Sequence, residues 1–254
     1  MSGAACHPSA GAEQAAASET AEPARKPIAT ALFSSLPIAR PENVAMEDLL
    51  REDVPAHWAT SLLSDRGEWR AVDWLGIRDD GYDALAGIDL LVLAQPRPLA
   101  PEENVALDNF VRDGGTVLLF ADPHLTQESA YALGDPRRPA HTVLLSPILS
   151  RWGIELEHDE SDEKTGADWN GVTLPLSEPG RFRLKPDAGE FAGRCILEAD
   201  ARLVSCDIGK GRLLALADAA LLEPDTGGRA EIRRALLERM MDAALATKVG
   251  KSRD

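Results

Sequence analysis

The sequence predicts an α/β fold: a mostly parallel open sheet with helices on both faces, extended by antiparallel strands in the C-terminal half. Two observations carry that prediction. Residues 88 to 123 read as a buried strand, a helix and a second buried strand, with a turn signal at each junction. Elsewhere, apolar runs of strand length alternate with stretches of helical periodicity.

The central unit is the clearest. Ile88 to Ala94 is apolar on both faces after Asp89, as a strand covered on two sides requires. Pro101 stands at a first helical position, and Glu102 and Glu103 follow where the helix macrodipole favours anions. Val105, Ala106, Leu107, Phe110 and Val111 form the expected apolar face, and Gly114-Gly115 ends the helix. Thr116 to Phe120 is apolar again and closes on Ala121-Asp122-Pro123. A right-handed crossover then makes the two strands parallel.

The remaining elements follow in order. Ile28 to Phe33 is a first strand, Val44 to Leu50 a short helix, and Ala56 to Ser64 a second helix. Trp69 to Trp74 alternates as a strand, and Tyr82 to Ala86 is a single turn. Thr126 to His141, with Gly134, Pro136 and Pro139, is a long loop. Val143 to Trp152 is helical, Ile154 to Leu156 a short strand, and the acidic run Glu157 to Lys164 a surface loop. Val172 to Leu184 and Cys195 to Val204 carry short β segments, expected as antiparallel additions at a sheet edge. Gly209-Lys210-Gly211 turns the chain into the strand Arg212 to Ala217. The last helix, Arg229 to Ala246, is expected to pack through Ile232, Ala235, Leu236, Met240 and Ala243.

Composition sets the outer bounds. The chain has 254 residues, enough for a sizeable core, and 44% of them are hydrophobic. A net charge of −15 disfavours attraction to nucleic acid or an anionic membrane. No stretch is long and apolar enough to span a bilayer, so direct membrane insertion is not expected. The first 26 residues, rich in Ala, Ser, Glu and Pro, read as a disordered tail, leaving 27 to 248 as a single α/β domain. Cys6, Cys195 and Cys206 make no disulfide framework. A hairpin turning at Asp200-Ala201 would set Cys195 and Cys206 across from each other, expected as reduced thiols.

The polar residues that matter lie at strand ends. Asp122, His124 and Asp218 each emerge near a carboxyl end, where open α/β sheets bind ligands. Converging, they would hold a metal or a small polar ligand; apart, the two aspartates cap turns and His124 is a loop residue. Gly209-Lys210-Gly211 lacks the spacing and the following Ser or Thr of a phosphate loop. No Gly-x-Cys-x-Gly or Gly-x-Ser-x-Gly elbow exists, and Asp122-Pro123 occupies the best place for one. Trp169, in the polar stretch ADWNG, either contacts a partner or packs back on the β edge.

Two segments carry a resemblance. YDALAGIDLLVLAQPRPLAPEENVALDNFVRDGGTVLLFADP is similar to the central part of the auxiliary (GldG-like) proteins of uncharacterised, gliding-motility-type ABC transport systems. IGKGRLLALADAALLE resembles a later recurrent segment of that family, which would extend the match over about residues 28 to 247. The resemblance implies a flavodoxin-like or class I glutamine-amidotransferase-like domain without catalytic machinery. Its implied partners are the permease and ATPase of a transport complex, with a cytoplasmic location that is membrane-associated through those partners. Ala100 departs from the pattern where a Ser or Thr helix cap is usual. The expectation is therefore a non-catalytic accessory or ligand-sensing module with no cofactor, no metal and no catalytic residue. The alternative is a metal-dependent or hydrolase-like enzyme using Asp122, His124 and Asp218.

Overall fold

The computed structural model describes residues 26–42, 56–159, 166–224 and 228–246. The expected helix at Val44 to Leu50, the tail up to residue 25 and the acidic run beyond Asp159 lie outside the described residues.

The chain runs β1 (Thr30–Ser34), α1 (Trp58–Arg66), β2 (Trp69–Ala71), β3 (Leu90–Ala94), α2 (Pro101–Asp113) and β4 (Thr116–Phe120). It continues through α3 (Ser146–Trp152), β5 (Ile154–His158), β6 (Asp168–Trp169), β7 (Val172–Thr173), β8 (Gly180–Leu184) and β9 (Arg194–Glu198). It ends with β10 (Leu203–Ile208), β11 (Gly211–Leu216), a 3-10 turn at Ala220–Leu222 and α4 (Ala230–Leu245). A seven-stranded sheet has the order β2-β1-β3-β4-β11-β10-β9. From β2 to β11 every neighbouring pair is parallel, whereas β10 and β9 are antiparallel additions at one edge. In chain order the parallel strands follow the 2-1-3-4-5 pattern of flavodoxin-like folds, as expected from the sequence.

The apolar runs explain the layering. Successive strand side chains point to opposite faces, so a doubly covered strand needs apolar groups throughout. All of β3 and β4 is buried. Leu32, Leu90, Val92, Leu118, Phe120 and Leu216 face one layer, where α1 and α4 contribute Leu62, Leu236 and Met240. Phe33, Leu91, Leu93, Val117 and Leu119 face the other, against Leu107 and Val111 of α2 and Trp152 of α3.

Several expectations need correction. The apolar face of α2 is rotated: Glu103, Leu107, Asp108 and Val111 are buried, while Val105 is 61% exposed. Two acidic residues go inward because cationic and amide donors meet them there, a pattern invisible to hydrophobic periodicity. Helix α4 buries Leu236, Leu237, Met240, Met241 and Ala244 and leaves Ile232 70% exposed. The α3 helix begins at Ser146 rather than Val143, with Pro147 in its first turn. Strand β2 stops at Ala71, before the expected Trp74. Part of the supposed acidic loop is strand β5, and Asp159 pairs with the buried Arg202 at 2.6 Å. Trp169 is buried, 4% exposed, so packing on the β edge is the outcome.

The cysteine expectation also fails. Cys195 and Cys206 are register partners on β9 and β10 and form a disulfide, with Cα atoms 4.0 Å apart. The Gly209-Lys210-Gly211 turn is structural. A Cβ on Gly211 would come within 2.1 Å of Val111 O and 2.2 Å of Gly115 O, and Gly209 takes a φ of 58°. This turn packs on the end of α2 with Lys210 N donating to Arg112 O.

Candidate functional site at the carboxyl ends of the strands

Strand β3 ends in Gln95, whose φ of 44° is rare outside glycine and whose side chain is fully buried. That side chain stitches adjacent strand ends together. Its Oε1 accepts from Asp122 N at 2.8 Å, and its Nε2 donates to Asp122 O at 3.0 Å and Ala140 O at 2.8 Å. Just past β1, Ser35 N donates to Ala94 O, and its hydroxyl donates to Gln95 O. The crevice between β1 and β3, where the strand order reverses, is thus closed by the chain's own hydrogen bonds.

Asp122 and Asp218 follow the neighbouring strands β4 and β11 and are 1% and 0% exposed. Asp218 accepts from Ser177 N at 2.7 Å and Ala220 N at 2.6 Å, holding a loop and the turn after β11. Asp122 Oδ1 accepts from His124 N at 2.8 Å. Its Oδ2 is buried without a hydrogen bond of good geometry, although the Ala219 N–H lies close enough to act on it. Burial pushes the Asp122 carboxyl up to about 6, against the amides of His124 and Ala219. Burial also raises Asp218 well above the usual carboxylate range, with the Asp122 charge adding to it. A like charge at Asp122 thus makes ionisation of Asp218 costlier than burial alone would.

His124 lies over this pair. Its Nδ1 meets Glu178 Oε2 at 2.8 Å. Its ring sits edge-to-face with His141, centroids 4.8 Å apart, and with His158, centroids 5.3 Å apart. The imidazoles come from the loop after β4, from the end of the long loop and from β5. Sequence reading missed His141, His158, Glu178 and Gln95. Only Gln95 carried a local signal, as a polar residue ending an apolar strand before Pro96. The histidines meet only through tertiary folding.

The structure therefore brings Asp122, His124 and Asp218 to one mouth. Among the described residues, no three His, Cys, Asp or Glu side chains are arranged to hold a metal ion. Beside the mouth, a cleft of about 490 Å³ opens over the ends of β1 and β2. Ser34, Ser35, Arg40, Asp73, Tyr131 and Arg137 line it, a polar surface suited to a small ligand.

An open, doubly wound α/β domain with its strand ends closed by side-chain ties is the class that this geometry defines. Residues 74–167 match the family described as "ABC-type uncharacterized transport system", a stretch that contains the first of the two resembling segments. The second resembling segment, 208 to 223, lies outside the matched residues. No curated protein matches the sequence significantly. Among solved structures, an exo-β-1,4-mannosidase from Opitutaceae bacterium strain TAV5 is similar at 14% identity and a TM-score of 0.49, covering 87% of this chain and 36% of that one. A β-galactosidase from Bacillus circulans sp. alkalophilus gives 12% identity and a TM-score of 0.42, over 90% of this chain and 32% of that one. The chain thus spans about a third of the glycosidases it resembles. A putative thua-like protein from Parabacteroides merdae gives 15% identity and a TM-score of 0.39, over 90% and 93% of the two chains. Likenesses this distant say nothing about activity.

Proposed function

We propose that the chain is a non-catalytic accessory module of an ABC-type transport system, docking on its permease or ATPase and sensing a small polar ligand. The observation that carries the non-catalytic part is the end of β4. There the chain supplies Asp122-Pro123, with Asp122 buried and engaged by the His124 N–H, in place of an exposed nucleophile. Asp122, His124 and Asp218 act in this reading by holding the mouth in shape. The family match over 74–167 supports the transport role, and the cleft over β1 and β2 supports a ligand.

Co-expression with the ATPase and permease of one such transport system tests it. The tagged chain should co-purify with them in detergent, and Asp122→Asn or Asp218→Asn should not disturb the complex. Failure to co-purify under any condition overturns the accessory role.

A second reading, a metal-dependent or hydrolase-like enzyme, is favoured by one observation, the buried carboxyl pair under a row of imidazoles. Calorimetric titration with Mg²⁺, Mn²⁺ and Zn²⁺ separates the two readings. Micromolar binding that disappears in either Asn variant would promote the enzyme.

The disulfide bears on location. Such bonds persist in oxidising compartments, so Cys195–Cys206 favours the oxidising side of a membrane over the cytoplasm expected from the sequence. No described helix is long and apolar enough to cross a membrane. Thiol counting on natively purified protein should find Cys6 alone reactive; three reactive thiols would return the domain to the cytoplasm.

A further inference from the structure

We infer that strand β9 is a self-complementary edge through which a second copy of this chain pairs antiparallel, about a two-fold axis at Ile196. The starting point is the position of β9 at the end of the sheet, where it has β10 on one side only. Cys195 faces Cys206 at a Cα separation of 4.0 Å, the short spacing of a pair that exchanges no backbone hydrogen bonds. The N–H and C=O groups of Cys195, and by alternation those of Leu197, therefore point away from β10 toward the open edge. Among the described residues no backbone hydrogen bond outside the sheet reaches them. Edge strands with free groups of this kind are templates for another strand.

The side chains then select the register. Arg194, Ile196 and Glu198 alternate onto one face of β9. Ile196 is 66% exposed, a large apolar group at the centre of the strand. With the two-fold axis at Ile196, Cys195 pairs with Leu197 of the partner subunit, so outward-pointing backbone groups meet each other. Ile196 then stands beside Ile196 of the partner subunit as a close cross-strand contact, and Arg194 lies opposite Glu198 of the partner subunit. Symmetry repeats that charge pair at the other end. Shifting the axis to Cys195 or Leu197 keeps the backbone pairing but separates Arg194 from Glu198 of the partner subunit. Charge complementarity thus picks one register.

Other contacts prepare this edge. The disulfide clamps β9 to β10 directly behind it. Trp169 Nε1 and Ser205 Oγ donate to the two oxygens of Glu198 at 3.1 and 3.0 Å, holding the carboxylate in place while leaving lone pairs for an arginine. A five-residue edge buries less than the roughly 1,200 Å² of a stable interface, so association should be weak, with a Kd on the order of 100 μM.

Sedimentation velocity on the full chain, from low micromolar to near-millimolar concentration, tests this. A reversible monomer–dimer equilibrium is expected. Ile196→Lys and Arg194→Glu should each weaken it about tenfold or more, because symmetry makes each substitution act twice. The swap Arg194→Glu with Glu198→Arg should recover most of the affinity. Ile196 is exposed, so Ile196→Lys should keep the wild-type melting temperature and remain decisive should the swap variant fold poorly. A monomer at every concentration overturns the inference, as does a dimer indifferent to Ile196→Lys and Arg194→Glu.

Discussion

Asp108 and the pair Asp122 and Asp218 are all buried carboxyls, yet the protein treats them oppositely. Asp108, on α2, accepts from Arg112 Nε at 2.9 Å, Arg151 Nε at 2.8 Å and Trp152 Nε1 at 2.9 Å. Burial alone would raise its pKa, but the hydrogen bonds from Arg112, Arg151 and Trp152 outweigh that and hold it below the usual carboxylate range. Glu103 on the same helix repeats the pattern with Arg97 at 2.7 and 2.9 Å. Asp122 and Asp218 receive only backbone N–H groups, and the Asp122 charge adds to the penalty on Asp218. Burial therefore does not decide protonation; the supply of cations does. The α2 carboxylates are charged braces, whereas the mouth holds two carboxyls that burial pushes toward the neutral form.

The largest test of that contrast is Asp108→Ala. It strands the buried Trp152 N–H and leaves two guanidinium groups without their acceptor. A loss of about 4 kcal/mol in urea unfolding is expected. A loss under about 1 kcal/mol would mean that the brace contributes little and the contrast is overstated.

Asp122→Asn should behave in the opposite way. The folded pKa of Asp122, about 6, lies above its ordinary 3.8, so the native state holds the proton more tightly than the unfolded chain. That stability is present below about pH 4 and is lost as pH rises through about 6. Asn imitates the neutral acid and can still accept from the His124 N–H. Relative to wild type, the variant should gain about 3 kcal/mol on moving from about pH 4 to pH 8. His57 adds an opposing trend in both proteins: burial lowers its pKa to about 4, so native stability falls as acid protonates it in the unfolded chain. The difference between variant and wild type removes that shared background. A pH-independent difference would show that Asp122 is ionised at no cost.

The smallest expected effect sharpens the comparison. Arg151 is 41% exposed at its side chain, and Arg112 also supplies Asp108. Arg151→Ala should therefore lower stability by only about 1 kcal/mol. Removing Arg112 as well should lift the Asp108 pKa toward mouth-like behaviour, readable by carboxyl NMR titration. An Asp108 that stays low without either arginine would assign its charge to the Trp152 N–H instead.

These contrasts also mark what could be read in advance. The strand, helix and strand from 88 to 120 were legible because their signals are local: apolar runs, Pro101 at the helix start and Gly114-Gly115 at its end. The positions of Asp122 and Asp218 at strand ends were legible for the same reason, since each closes an apolar run. The polar stretch around Trp169 is compatible with partner contact or with packing, and only tertiary burial distinguishes them.

What the sequence determined by itself, then, is the parallel centre of the sheet and the residues that leave its carboxyl ends. Short-range periodicity and turn chemistry are sufficient for that, because each signal acts within a few residues. Tertiary structure alone decided which helix faces turn inward, since Arg97, Arg112 and Arg151 make Glu103 and Asp108 better core residues than Val105. It also decided that Cys195 and Cys206 bond, that His124 meets His141 and His158, and that Asp122 and Asp218 repel one another. Each depends on atoms brought together from distant positions, where distance and dielectric rather than composition set the energy.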